Sequence, residues 1–172
     1  MSRRFALTIA SSCALLIVPF ASAQAPPPEM KILDQRVGTW DNVVTAKAAI
    51  WTPDGFEAKG VEKIESTLAG RFIEGKTINT DKYEATWLAT YDVNKKAFRS
   101  WFFNSFGNSG ESTGQWDEKT KTITWTDTDA MGVTNVMHWR FTNADTLDWD
   151  VLAKDKNGKV YLDMKGKLTR KK

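Results

Sequence analysis

The side chains able to do chemistry are few. His138 is the only histidine among 172 residues. One histidine can act as a general base, or as the axial ligand in a barrel that binds haem or nitrogen oxides. Both uses need it to face an enclosed pocket. Asp148 and Asp150 stand two apart, so they read either as paired carboxylates or as residues on one solvated strand face. Asp117, Asp127 and Asp129 crowd turn sequences, but their spacing matches no calcium loop. Zinc is disfavoured, since one histidine and a single cysteine leave only carboxylates as further ligands.

Nucleophilic catalysis has no foothold. Gly107-Asn108-Ser109-Gly110 is one residue short of a Gly-x-Ser-x-Gly elbow and reads as a hairpin turn. Neither a phosphate loop nor a dinucleotide fingerprint is present. With no nucleophile–base pair to name, an enzyme is the weaker reading, and no catalytic residue is assigned.

The aromatics are the strongest feature. The chain carries 8 Trp, 9 Phe and 3 Tyr. Tyr83, Trp87, Tyr91, Trp125, Trp139 and Trp149 fall at positions that alternation sends to one interior, together with Phe141. Small residues stand among them: Ala46, Ala85, Ala89 and Gly114. Large beside small fits a fully packed interior. It fits equally a wall around a small apolar pocket, with indole N–H and phenol O–H groups as polar handles.

Those residues need a sheet to position them. From Gly38 onward the hydrophobic pattern has period two, broken by turns at 53–55, 92–96, 107–110, 117–119, 143–145 and 155–158. Tyr83, Ala85, Trp87, Ala89 and Tyr91 oppose Glu84, Thr86, Thr90 and Asp92. Met137, Trp139 and Phe141 oppose His138, Arg140 and Thr142, which turns His138 away from the indole face. Leu147, Trp149 and Val151 oppose Asp148 and Asp150. Val160, Leu162, Met164 and Leu168 oppose Lys159, Asp163, Lys165 and Lys167. One face buried and one wet is the mark of an antiparallel sheet.

About ten such strands fit between 38 and 172. A sheet that wide is expected to curl and close, which removes its edges. The expected architecture is all-β, an antiparallel up-and-down barrel, with a β-sandwich as the alternative. Ahead of it, Gln24 to Pro28 is a linker. Met30, Leu33 and Val37 predict one short helix over 29–37, stopped by Gly38. An outer-membrane barrel would need an apolar outer band, whereas this outer face carries Glu84, Asp92, Asp148, Asp150, Lys165 and Lys167.

Residues 1–23 read as a secretory signal peptide. Arg3 and Arg4 precede an apolar run from Phe5 to Phe20, and Ala21-Ser22-Ala23 is a small-x-small cleavage site. Membrane anchoring, lipidation at Cys13 and twin-arginine export are the weaker alternatives. Cleavage would leave 149 of the 172 residues, with 22 basic against 21 acidic and no cysteine. The formal +3 of the whole chain is then no evidence for nucleic acid. The expected location is periplasmic or extracellular, without stable membrane insertion. Oligomeric state is left open.

Gly38-Thr39-Trp40, where helix hands over to strand, resembles the Gly-x-Trp that opens the first strand of lipocalins and related calycin barrels. That resemblance implies a tryptophan closing one barrel end under a basic residue near the last strand. Arg170 is the candidate, with Lys167 or Lys171 as substitutes. More of the chain resembles a bacterial family of secreted, lipocalin-like domains of unknown function. The matching pieces are Gly38-Thr39-Trp40, Gly70-Arg71-Phe72-Ile73, Tyr91-Asp92 with Trp101, and Gly114-Gln115-Trp116-Asp117 leading into Thr120 to Thr124. No catalytic residues carry over. The reading is an exported lipocalin-like barrel, 38–172, that binds a small apolar or amphipathic molecule and needs no cofactor. The alternatives are a haem or nitrogen-oxide binder using His138, and a ligandless barrel used through its surface.

Overall fold

A computed structural model describes residues 25–80 and 82–172; the expected signal peptide lies outside the described residues. Among the described residues one helix, α1 (Met30–Asp34), precedes ten strands. They are β1 (Gly38–Ala46), β2 (Phe56–Thr67), β3 (Phe72–Asn79), β4 (Glu84–Asp92), β5 (Ala97–Asn104), β6 (Ser109–Asp117), β7 (Thr122–Thr128), β8 (Thr134–Asn143), β9 (Thr146–Lys154) and β10 (Val160–Arg170). Each strand pairs antiparallel with the next, and β1 pairs with both β2 and β10, so the sheet is a closed barrel. Closure leaves no edge to template aggregation. No helix among the described residues is long and apolar enough to cross a membrane.

Alternation decides which side chains enter. On β1, Trp40, Asn42, Val44 and Ala46 are buried while Asp41 and Val43 are exposed. Register carries that parity around the wall: Ala89 faces Ser100, Gly114 faces Trp125, and Ile123 faces Trp139. Two expectations need adjusting. Helix α1 is shorter than 29–37, since Gln35, Arg36 and Val37 turn the chain into the barrel end. The 160–168 alternation starts only at Leu162. A register shift there sets Val160 opposite Lys154, an outward position, and Tyr161 packs instead on Trp51.

The two ends differ. Helix α1 lies against β3 and β4, and its buried Met30 and Leu33 join Ile64, Ile73, Ile123 and Leu168 in a sealed apolar layer. At the same end Trp40 donates its Nε1–H to the Arg36 carbonyl at 2.7 Å. The Arg170 guanidinium lies 4.0 Å from the Trp40 ring centroid. It also donates to the carbonyls of Val37 (2.7 Å), Gln35 (2.9 Å) and Ala144 (2.9 Å). Gly38 sits under this clamp with φ +140°, a region side chains avoid, and a Cβ there would strike the guanidinium. Among the described residues no helix covers the opposite end. There the inward-facing Phe102 is 37% exposed, and Ser112, Asp127, Asn135, Met137, Val151, Leu162 and Met164 are all partly exposed.

Candidate functional site

The candidate site is the barrel interior between these two ends. Its floor is built from four strands and the segment after α1. Trp87 (β4), Trp125 (β7) and Trp139 (β8) form one contiguous group, with ring centroids 5.2 Å apart for Trp87–Trp139 and 4.7 Å for Trp125–Trp139. Trp149 packs beside them, half-buried, and its Nε1 donates to Asn42 Oδ1 at 3.4 Å. The other two predicted aromatics sit apart. Tyr83 precedes β4 at the open rim, 5.6 Å from Phe106. Tyr91 lies at the helix end, edge-on to Phe98 at 5.1 Å and hydrogen-bonded to Glu29.

Each of three indoles lies against a glycine directly across the ladder: Trp87 on Gly75, Trp125 on Gly114, and Trp149 on Gly166. A Cβ at any of these glycines would run into the ring. The absent side chain gives the indole room to lie along the wall, and the ring covers backbone that glycine leaves bare.

Two charged residues that sequence reasoning missed complete the floor. Arg36 is 2% exposed and Glu62 is 4% exposed. The Arg36 guanidinium lies 3.7 Å from the Trp139 centroid and 4.7 Å from that of Trp87, gripped by two π-faces. Its Nη2 is 3.5 Å from Glu62 Oε1, which also accepts the Trp87 Nε1–H at 2.6 Å. Burial pushes the guanidinium down to about 10, against an upward pull from Glu62. Nothing local marks Arg36. A faint signal exists for Glu62, which shares strand parity with Ala58 and Ile64.

The remaining predicted groups lie elsewhere. His138 is on the outer wall of β8, with Nδ1 2.8 Å from Asp150 Oδ2. Arg140 also bonds Asp150. Desolvation pushes the Asp150 carboxyl up, but hydrogen bonds from His138 and Arg140 outweigh it and hold the group below the ordinary value. Asp148 accepts from Thr142 Oγ1 at 2.9 Å, so the two aspartates serve separate neighbours. A haem inside the barrel would have to find its axial ligand on the inner face, which His138 does not share. Asp127 accepts from Ser112 and Asn135, each at 2.8 Å, and Asp129 caps the β7–β8 turn. Among the described residues no group of three or more His, Cys, Asp or Glu gathers around a common point.

A closed antiparallel barrel, capped by a helix at one end and holding indoles at mid-height, defines a calycin-like fold. A similar barrel occurs in the crystal structure of Rv2717c from M. tuberculosis, with TM-score 0.64 and 13% identity over 86% of this chain and 99% of that one. Another is the S-type phycobiliprotein lyase CPES from Guillardia theta, with TM-score 0.53 and 13% identity over 83% and 92%. At these identities the likeness is one of fold. The chain belongs to DUF1579, a family of proteins of unknown function, which it matches over residues 25–170. No curated protein matches the sequence.

Proposed function

We propose that the protein is an exported binding module whose barrel interior holds one small apolar or amphipathic molecule. The observation that carries this is the asymmetry of the inward wall. Ile73, Ile123 and Leu168 at the helix end are fully buried, while Phe102, Met137, Val151 and Met164 point inward at the other end and are still reached by solvent. We infer a cup from this contrast: a cylinder sealed at one end, with apolar side chains beside Ser112, Asp127 and Asn135 reached by solvent at the other, has the form in which barrels of this size hold one small molecule. Trp87, Trp125, Trp139 and Trp149 form its lower wall. Residues 1–23 serve as the export signal, so a secreted sample is expected to begin at Gln24.

Titration with N-phenyl-1-naphthylamine, neutral and apolar, tests the reading. The dye's emission is expected to rise saturably while tryptophan emission falls by energy transfer. Phe102→Arg places a charge at the mouth, where water can solvate it, and is expected to weaken the dye without unfolding the protein. A linear, unsaturable response would overturn the reading in favour of a barrel used only through its surface. Native mass spectrometry of protein purified from its own host would show any retained molecule.

A further inference from the structure

Among the described residues four buried side-chain polar atoms have no partner in the protein: Arg36 Nε, Arg36 Nη1, Trp125 Nε1 and Asn79 Oδ1. The first three are N–H donors, and all belong to the floor of the cup. Trp139 links them, since it touches both the Arg36 guanidinium and the Trp125 ring. The fourth is an acceptor that lies over Gly60, on the mouth side of Glu62 along β2. Buried donors are almost always matched, because desolvating one without an acceptor is costly. The Trp139 and Trp87 rings flank the guanidinium on adjacent sides, and its Nε–H and Nη1–H groups, which make no hydrogen bond within the protein, remain available to a guest.

Charge decides which guest fits. Three donors reject an ammonium group, which carries only donors and a positive charge beside Arg36. They would accept either a carboxylate or an uncharged oxygen. Glu62 already supplies the counter-charge to Arg36, at 3.5 Å. A carboxylate on the floor would set two anions against one guanidinium in a low-dielectric interior. A carbonyl oxygen takes the same N–H bonds and adds no charge.

We propose that the interior recognises its apolar guest by an uncharged oxygen acceptor, a ketone or ester carbonyl, that receives N–H bonds from Arg36 and Trp125. This rests on the binding reading above and adds to it the chemical class of the molecule.

Three probes of one shape test it by isothermal titration calorimetry: 2-acetylnaphthalene, 2-ethylnaphthalene and 2-naphthoate. The ketone is expected to bind at least about tenfold more tightly than the ethyl compound, as hydrogen bonds from a charged donor allow. The carboxylate is expected to bind more weakly than the ketone. Trp125→Phe and Arg36→Lys are each expected to shrink the ketone-to-ethyl ratio, a readout that cancels changes in packing common to both probes. Two variants are used so that a folding failure in one leaves the other decisive. Equal binding of ketone and ethyl compound overturns the carbonyl proposal and leaves the cup standing. So does a carboxylate that binds best, which would make the floor an anion site. A ratio unchanged in both variants overturns the assignment to these residues. Binding of none of the three removes the cup as well.

Discussion

The Arg36 guanidinium lies 3.7 Å from the centroid of the Trp139 ring, inside a barrel whose wall closes around both. A cation so placed is held by π-faces and by one carboxyl, and is sealed from water on the helix side. The pair Arg36–Glu62 therefore belongs to the interior and its chemistry, where a surface ion pair would be nearly neutral for stability.

Removing one partner is expected to be much worse than removing both. Arg36→Met strands Glu62 in the core and is expected to cost about 3–5 kcal/mol, whereas Arg36→Met with Glu62→Gln recovers a large part of that loss. Urea denaturation of the two variants checks it. The low Arg36 value has a definite sign. Its folded value, about 10, lies below that of a free guanidinium, so the unfolded chain binds the proton more tightly. Stability from this group then rises only as pH climbs through that interval, and its contribution is flat from neutral pH to about pH 9.

The glycine–tryptophan pairs make a second prediction. Gly75→Ala forces a methyl into the Trp87 indole and is expected to cost about 1–3 kcal/mol through overpacking. Gly110→Ala, where a Cβ meets nothing within 4 Å, is expected to stay within about 0.5 kcal/mol of the parent. Thermal melts separate the two, and a blue or red shift of tryptophan emission should accompany only the first.

Arg170 ties three carbonyls and one indole together at the helix end. Arg170→Lys keeps the charge and loses the planar fork, so it is expected to destabilise by about 1–3 kcal/mol. Hydrogen exchange is expected to speed up first in α1 and at the start of β1, the segments the clamp holds. Uniform loss of protection would contradict that local role.

The outer wall supplies a pH prediction. The Asp150 carboxyl is held below its ordinary value of 3.8, so its stabilising contribution is present above that pH and is lost as pH falls through and below it. The group is partly exposed, which limits the effect to about 0.5–1 kcal/mol. Asp150→Asn is expected to flatten the acid limb of the stability curve. His138→Ala, on the same wall, is expected to leave N-phenyl-1-naphthylamine binding unchanged. A Soret band on adding haem that His138→Ala abolished would show the histidine in a use its outward position does not suggest.

Much of the barrel was legible because one sheet face is wet. Glu84, Thr86, Asp148 and Asp150 set the parity of their strands, and the indoles opposite them went inward as that parity required. Where parity is interrupted, legibility ends. The shift between Val160 and Leu162 is invisible without the partner strand, because a bulge is a property of the pairing. Tyr83 illustrates the same limit: it continues the pattern of β4 but falls at the rim, where the strand has not yet begun.

From the amino acids alone came the strand periodicity, the closure into about ten strands and the inward turn of the tryptophans. Each follows from side chains that must be dry on one face and wet on the other. Arg36, Glu62 and the glycine partners of the indoles were decided only in three dimensions. An arginine after a short helix is surface in almost any chain. It is interior here because strands distant in sequence bring Trp87 and Trp139 together against its guanidinium. A glycine likewise becomes a seat for an indole only once register has placed that indole across from it.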